Sequence, residues 1–546
     1  MEQIFYNGKI ITMKESNAQE ALDRAPEAVL IKNGIIIQTG EIDTITKMAS
    51  KEVVFRNLEG RCLMPSFIDT HSHFVMNGQM STWANLSDCE SFEEIIGVLT
   101  DYIEKNNITE DGVVLGYGYD HNFLKERQQP DKTVLDKVSN KIPIFILHIS
   151  AHLGCANSAA LQLAGIDETT EDPQSGKIGR VGESNIPSGY LEEAGINILQ
   201  QVILPKAVTD YTKNLKKMQD IYLENGITTA QDGASTESDI SFLIKMSELC
   251  TLKLDIVAYP LMPAHGLELM EKYGAQYKSY VNRFRIGGYK LVLDGSPQGR
   301  SAWMSKPYVG GEANYCGYPW LNDEDIENYL RQAVNQKQQV LAHCNGDAAC
   351  EQFIVSYDKV IKEDGCNDNL RPVMIHCQTV RNDQLDRMAK LKMIASVFIG
   401  HVWYWGDVHI KNFGLERGNY ISPVKDALDR DVKVTFHQDT PVTKPNMLHS
   451  IWCAVNRVSR GGNIIGDDQV IDVYDALKAV TISAAYQYFE ENNKGTIEEG
   501  KRADLVILDK SPLETDKMHI KDIKVLETIK DGKTVYSQDF IKQSEI

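Results

Sequence analysis

Residues 64–74 read MPSFIDTHSHF, an apolar run that ends in two histidines one residue apart, His71 and His73. In an extended strand, residues i and i+2 point to the same side. Both imidazoles therefore aim at one point, where they can hold a single ion. A lone His-x-His is more often two unrelated histidines than a metal site, so the weight falls on what the rest of the chain brings to the same place.

Moving outward, segments of similar character recur: FIDTHSH (67–73), ITTAQDG (227–233), LDIVAYP (254–260), FRIGGYKLVLDG (284–295), QVLAHCNG (339–346), PVMIHCQ (372–378), MIASVFIGH (393–401) and VKVTFHQD (432–439). Amphipathic stretches such as DEDIENYLRQAVNQKQ (323–338) and QLDRMAKLK (384–392) lie between several of them. Eight apolar strands alternating with helices predict an α/β chain folded as a (β/α)8 TIM barrel. The interval 85–205 is too long for one crossover and carries strands of its own, VVLGYGYD (113–120) and IPIFILHIS (142–150), so it reads as an inserted subdomain. Both ends of the chain instead alternate like short strands, with turn pairs at Asn7-Gly8, Asn33-Gly34 and Asp531-Gly532. The expected division is a small β-sandwich domain from residues 1–64 plus 485–546 and a barrel over 65–484 carrying the insertion.

Bulk composition narrows the function. At 546 residues and 42% hydrophobic content the chain can bury a large core. Its formal charge of −19 repels nucleic-acid phosphates and anionic lipid, which leaves small molecules as the expected partners and argues against nucleic-acid or membrane work. No run of 18 apolar residues and no basic, apolar leader stands out, so a soluble cytoplasmic protein is expected. The ten cysteines lack CxxC spacing, which predicts reduced, mostly buried thiols. GYGYD lacks the third glycine of a dinucleotide cradle.

In a barrel enzyme the C-terminal ends of the strands face the active site. His71 and His73 close the first strand, Lys290 sits on the fourth, His343 on the fifth, His376 on the sixth and Asp439 on the eighth. A buried, hydrogen-bonded imidazole explains any one of these histidines, and an Asx turn before Pro441 explains Asp439 alone. Six ligand-type side chains at strand ends of one barrel are hard to assign to coincidence. Lys290 is the odd member, because an ammonium does not bind a cation. It reads either as an anion clamp or as a carboxylated lysine whose carbamate bridges two ions. His152 and His401 are candidate oxyanion donors, and each is equally well a structural histidine. Tyr117, Tyr119, Trp403, Tyr404 and Trp405 read as pocket or core aromatics. Asp120 and Glu193 are candidate pocket residues, with a surface ion pair or a cap as the alternative. His437 reads as a pocket residue or as support behind a ligand.

MPSFIDTHSH, GYKLVLDGSPQGR, LAHCNGDAA, PVMIHCQ, HQDTPV and GTIEEGKRADLVILD together resemble the amidohydrolase superfamily. GYGYDHN, AHLGCANSAAL and SGYLEEAG are similar to its YtcJ-like branch, which includes N-substituted formamide deformylase. The resemblance covers nearly the whole chain. It implies one or two divalent ions, zinc first and manganese, iron or cobalt as alternatives. By it, His71 and His73 hold the more buried ion with Asp439, His343 and His376 hold the second, and a Lys290 carboxylated by CO2 bridges them. In this reading Asp439 also shuttles the proton, and the family habit is a homodimer. The implied activity is hydrolysis of a non-peptide C–N bond in a small molecule, an N-acyl or N-formyl amide. Ring hydrolysis or deamination of a heterocycle is the enzymatic alternative, and an inactive barrel serving as a binding module is the non-enzymatic one. The family's small residue pair before the aspartate is replaced here by His437 and Gln438.

Overall fold

A computed structural model describes residues 1–207, 211–366 and 368–538. The chain divides into two compact units, one from Met1–Phe74, Lys217–Leu293 and Leu321–Ile546, the other from Val75–Lys216 and Asp294–Trp320.

The first unit holds the repeated apolar strands. β1 (Phe67–Ile68), β2 (Ile227–Ser235), β3 (Asp255–Pro260) and β4 (Phe284–Ile286) form an all-parallel sheet in the order β4-β3-β2-β1. β5 (Gly288–Val292), β6 (Gln339–Cys344), β7 (Val373–His376), β8 (Ile394–Val397) and β9 (Lys433–Phe436) form a second parallel sheet in chain order. Every residue of β3, β6, β7 and β8 is buried, as expected of parallel strands covered on both faces. Helices 323–335 and 382–390 fall where the periodicity predicts them. The first is started by Asn322, which accepts from Asp325 N–H, and by three acidic residues in its first turn.

FRIGGYKLVLDG, expected as one strand, is two. It breaks at Gly287-Gly288, and its halves β4 and β5 belong to different sheets. Gly288 has φ +152°, and a Cβ there would lie 2.2 Å from the Gln339 carbonyl oxygen, so only glycine lets β5 start this close to β6. A single parallel bridge, Leu261 to Lys290, lies between the two runs. At their outer members Thr70 Oγ1 donates to Phe436 O (2.9 Å) and His73 N–H donates to Thr440 O (2.8 Å).

The terminal segments form two further sheets. Residues 2–6, 28–32, 35–40 and 54–57 make one; residues 9–10, 62–65, 505–508, 525–530 and 533–537 make the other. Phe5, Val29, Ile31, Leu63, Leu505, Ile507 and Ile529 share one buried cluster. Asn33-Gly34 and Asp531-Gly532 turn hairpins, both residues of each pair having positive φ. Asn7-Gly8 instead carries the chain from one sheet to the other. At the N-terminal end of β3, Asp255 Oδ2 accepts from Lys494 Nζ (2.7 Å) and Lys530 Nζ (2.5 Å), Lys530 also pairs with Asp504 (2.6 Å), and Lys494 with Glu490 (2.8 Å). All five of these charged residues are buried.

The second unit is built on a six-stranded mixed sheet in the order 176–180, 187–193, 153–156, 144–148, 114–119, 84–85. Phe145 and Leu147 pack into one apolar cluster, Ile144 and Ile146 into another, so strand alternation buries both faces. Among the described residues no helix is long and apolar enough to cross a membrane.

Candidate metal centre

His71 and His73 follow β1, Lys290 lies on β5, His343 on β6, His376 ends β7 and Asp439 follows β9. The structure brings them together. Asp439 Oδ1 stands 3.4 Å from His71 Nε2 and 3.3 Å from His73 Nε2, and its Oδ2 stands 3.9 Å from His376 Nε2. Lys290 Nζ is 3.3 Å from His71 Nε2, and the His343 ring lies 4.4 Å from the His376 ring, centroid to centroid. His71, Lys290 and His376 are 1–3% exposed.

Hydrogen bonds on the far side of the rings fix where the protons are. His73 Nδ1 lies 2.5 Å from the Gly233 carbonyl oxygen, which only accepts, so Nδ1 carries the proton. His71 Nδ1 lies 2.6 Å from Gln231 Oε1. The Gln231 amide nitrogen donates to Thr70 O and Tyr488 OH, so its oxygen faces His71 and accepts. Both Nε2 atoms are left with lone pairs turned toward a carboxylate oxygen. Asp439 Oδ1 is buried and receives no aligned hydrogen bond. The Lys290 amine reaches only the His71 lone pair, and a cation between the rings and Asp439 would satisfy lone pairs that face a carboxylate across 3.3–3.9 Å. A tetrahedral ion with ligands at about 2.0–2.2 Å separates neighbouring ligand atoms by about 3.3–3.6 Å. The donor set fits a divalent metal, and His71, His376 and Asp439 each offer one ligand atom within 4.8 Å of the others.

Charge in the cluster follows from burial. Desolvation, then the Lys290 charge, holds the His71 imidazole well below its usual value, and desolvation with His343 does the same for His376. Burial brings the Lys290 amine down to about 7. For Asp439, burial pushes the carboxyl up, but positive charge at the surrounding His73, His376 and His71 positions outweighs it and holds the carboxyl well below the carboxylate range; with the rings neutral, a bound cation would supply that charge. His71 and His376 are thus held neutral and Asp439 ionised, the states that metals bind.

The backbone is strained at this rim. His376, Cys377 and Asp439 have φ of +70°, +49° and +53°. Left-handed conformations in non-glycine residues cost about 1–3 kcal/mol each and persist where the surroundings over-determine them. Gly233 serves a different need, because a Cβ there would lie 2.6 Å from His71 Cε1.

The other histidines of the first unit are also engaged. His437 is fully buried, with Nδ1 3.0 Å from Ser396 Oγ and Nε2 3.3 Å from His376 Nδ1. His401 opens the helix His401–Phe413, and its Nδ1 lies 3.1 Å from His409 Nε2. His409 Nδ1 is buried without a partner. An orphaned acceptor costs less than an orphaned N–H, so His409 carries its proton on Nε2 and donates to His401. His401 then presents Nε2–H on the far side of its ring, which lies 6.5 Å from that of His376. Trp405 is buried against His401 at 4.8 Å. Sequence reading did not single out Thr70, Gln231, Ser396 or His409. The partners of Thr70, Gln231 and Ser396 lie tens to hundreds of residues away, while His409 is eight residues from His401 on the same helix; only the placement of Gln231 and Ser396 inside apolar strands marks those two.

His152, Tyr119, Asp120 and Glu193 belong to the second unit. His152 Nδ1 lies 2.8 Å from Glu193 Oε2, and Ser301 Oγ donates to Glu193 Oε1 at 2.7 Å. The carboxylate therefore orients the imidazole, and Glu193 does so from φ +49°. Tyr119 OH donates to Gln129 Oε1. Asp120, His121 and His148 form a second group with metal-ligand spacing. Ser150 N–H donates to His148 Nδ1 (3.1 Å), which leaves the proton of that ring on Nε2, 3.4 Å from Asp120 Oδ1. A proton already lies where an ion would go.

A mixed α/β chain whose parallel strands end in converging histidines and an aspartate has the make-up of a metal-dependent hydrolase. The profile of the amidohydrolase family matches residues 54–536. The chain belongs to the amidohydrolase family, and it is a hydrolase of carbon–nitrogen bonds. It is 26% identical to N-substituted formamide deformylase of Arthrobacter pascens over 95% of this chain and 96% of that protein. It is 25% identical to the putative amidohydrolase YtcJ of Bacillus subtilis over 98% and 100%. Among solved structures, an uncharacterized metal-dependent hydrolase from Pyrococcus horikoshii shares the fold with a TM-score of 0.75, at 24% identity over 95% of this chain and 99% of that one.

Proposed function

We propose that this chain hydrolyses the amide bond of a small N-acyl or N-formyl amine at a zinc centre held by His71, His73, His376, His343 and Asp439, with a carboxylated Lys290 as the bridging ligand. The observation that carries the reading is the meeting of imidazole lone pairs with the ionised Asp439 in a buried site. The name of the Arthrobacter pascens relative supports the choice of a formamide.

A divalent ion bound there supplies Lewis acidity and lowers the pKa of a coordinated water from 15.7 to about 7. The remaining work falls to the chain. Asp439 takes the proton of the attacking water and passes it to the leaving nitrogen, so that amide and water become carboxylic acid and amine. His401, whose proton is held on Nε2 by His409, donates to the oxygen that gains charge as the carbonyl becomes tetrahedral. Burial leaves a share of the Lys290 amine neutral near pH 7, and a neutral amine can add CO2 to give a carbamate and a proton.

In the same reading the two parallel runs close into a (β/α)8 barrel. The Leu261–Lys290 bridge at one junction and the Thr70–Phe436 and His73–Thr440 hydrogen bonds at the other support closure. The sheets of the two chain ends form a small β domain, supported by their shared core.

Metal analysis paired with a screen of N-formyl, N-acyl and cyclic amides tests the proposal. The expected result is one or two ions per chain and release of carboxylate plus amine, abolished by chelation and restored by zinc, manganese or cobalt. Activity surviving complete metal removal would sink the mechanism, and ammonia as the product would move the reading to a deaminase.

A further inference from the structure

His437 precedes Asp439 by two residues, yet its imidazole is committed to other partners. Four side chains from four strand ends line up behind the centre: Thr70 after β1, Ser396 on β8, His437 after β9 and His376 at the end of β7. Thr70 Oγ1 lies 3.2 Å from Ser396 Oγ, Ser396 Oγ 3.0 Å from His437 Nδ1, and His437 Nε2 3.3 Å from His376 Nδ1. All four residues are 0–3% exposed.

Counting protons sets the direction of this chain. The single hydroxyl proton of Thr70 goes to the Phe436 carbonyl (2.9 Å). Thr70 Oγ1 therefore faces Ser396 as an acceptor, and the Ser396 proton fills that contact. Ser396 Oγ is then the acceptor for His437 Nδ1–H. A neutral imidazole carries one proton, so His437 Nε2 accepts from His376 Nδ1–H. The opposite direction would point the Ser396 proton at His437 and leave two hydroxyl oxygens facing each other at 3.2 Å with no proton between them. Only one arrangement places a proton in every contact, and it ends with a lone pair on His376 Nε2, the nitrogen turned toward Asp439.

We infer that His437, backed by Ser396 and Thr70, is a positioning residue that locks His376 in the tautomer whose Nε2 binds the metal. The inference rests on the metal-centre reading above. It gives the histidine two residues before Asp439 a task that involves no contact with substrate. His71 and His73 are fixed in the same sense by Gln231 and the Gly233 carbonyl, so three imidazoles present Nε2 through three unrelated partners. Partners behind a ligand of this kind typically change metal affinity 10–100-fold when removed.

The test is zinc affinity, read by competition with a chromogenic chelator on full-length protein prepared metal-free, with no substrate required. His437→Leu removes the acceptor and should weaken zinc binding at least 10-fold. His437→Gln can accept through its oxygen and donate through its nitrogen, and should recover most of the affinity. Ser396→Ala, a smaller change, should weaken binding several-fold. A residue that only fills space would show the reverse order, with leucine tolerated and glutamine not. That order, or wild-type affinity in both His437→Leu and Ser396→Ala, overturns the inference while leaving the metal centre in place. If the wild-type chain itself binds no divalent ion, the metal reading fails first, so the two failures are distinguishable.

Discussion

Asp439 Oδ1 and His73 Nε2 face each other across 3.3 Å, a carboxylate oxygen and an imidazole lone pair with no proton placed between them. Asp439 is the negative pole of the cluster and, in the proposed mechanism, the group that moves protons. Asp439→Asn keeps the shape and removes the charge. Turnover should fall at least about 10²-fold, the usual order for a lost proton shuttle. Comparing kcat with metal content by elemental analysis separates lost proton transfer from a lost ion.

Lys290 is buried among groups that bind cations. Lys290→Ala should lower bound metal by one ion per chain and abolish turnover, and a short carboxylic acid in the buffer should restore part of both. Unchanged stoichiometry would mean that this lysine bridges nothing.

At Gly233 the limit is space. A methyl group there would stand 2.6 Å from His71 Cε1 and 2.9 Å from Nδ1, displacing the ring and its bond to Gln231. Gly233→Ala should cost about 1–3 kcal/mol by overpacking. It should also weaken zinc binding, as read by chelator competition, and wild-type affinity would show that His71 is free to move.

Acid stability should be governed by Asp255. Burial opposes its charge, but Lys494 and Lys530 outweigh burial and depress its pKa strongly. A depressed carboxyl contributes stability that is present above its unfolded value of about 3.9 and is lost as pH falls through the folded value. Lys494 is the mirror case: burial lowers it, but Asp255 and Glu490 raise it, so its contribution holds below about 10.4 and is lost as pH rises through the folded value. Asp255→Asn strands buried ammonium groups and should cost about 3–5 kcal/mol at neutral pH. Urea unfolding from pH 3 to 7 should show a flatter acid limb in the variant than in the wild type.

The parallel strands were legible because burial on both faces leaves continuous apolar runs, and the ligand-type residues because they interrupt those runs at one end. FRIGGYKLVLDG misled, since the glycine pair that divides it also looks like part of a single strand. The support behind the ligands was invisible for a different reason. Gln231 and His71 are 160 residues apart, and Thr70 and Ser396 are 326 apart, so no local period connects them. Pairings of that kind exist only once the strands are side by side. His437 stands out in the sequence two residues before Asp439, but which way it faces depends on Ser396, on a different strand.

The uneven depth of the centre also carries a kinetic consequence. His71, Lys290 and His376 are closed off from solvent, but the side chains of His73 and Asp439 are 18% and 13% exposed. An ion held at the centre would therefore exchange past His73 and Asp439 with no parting of the strand ends, so its loss to a chelator should not slow as the fold is stabilised.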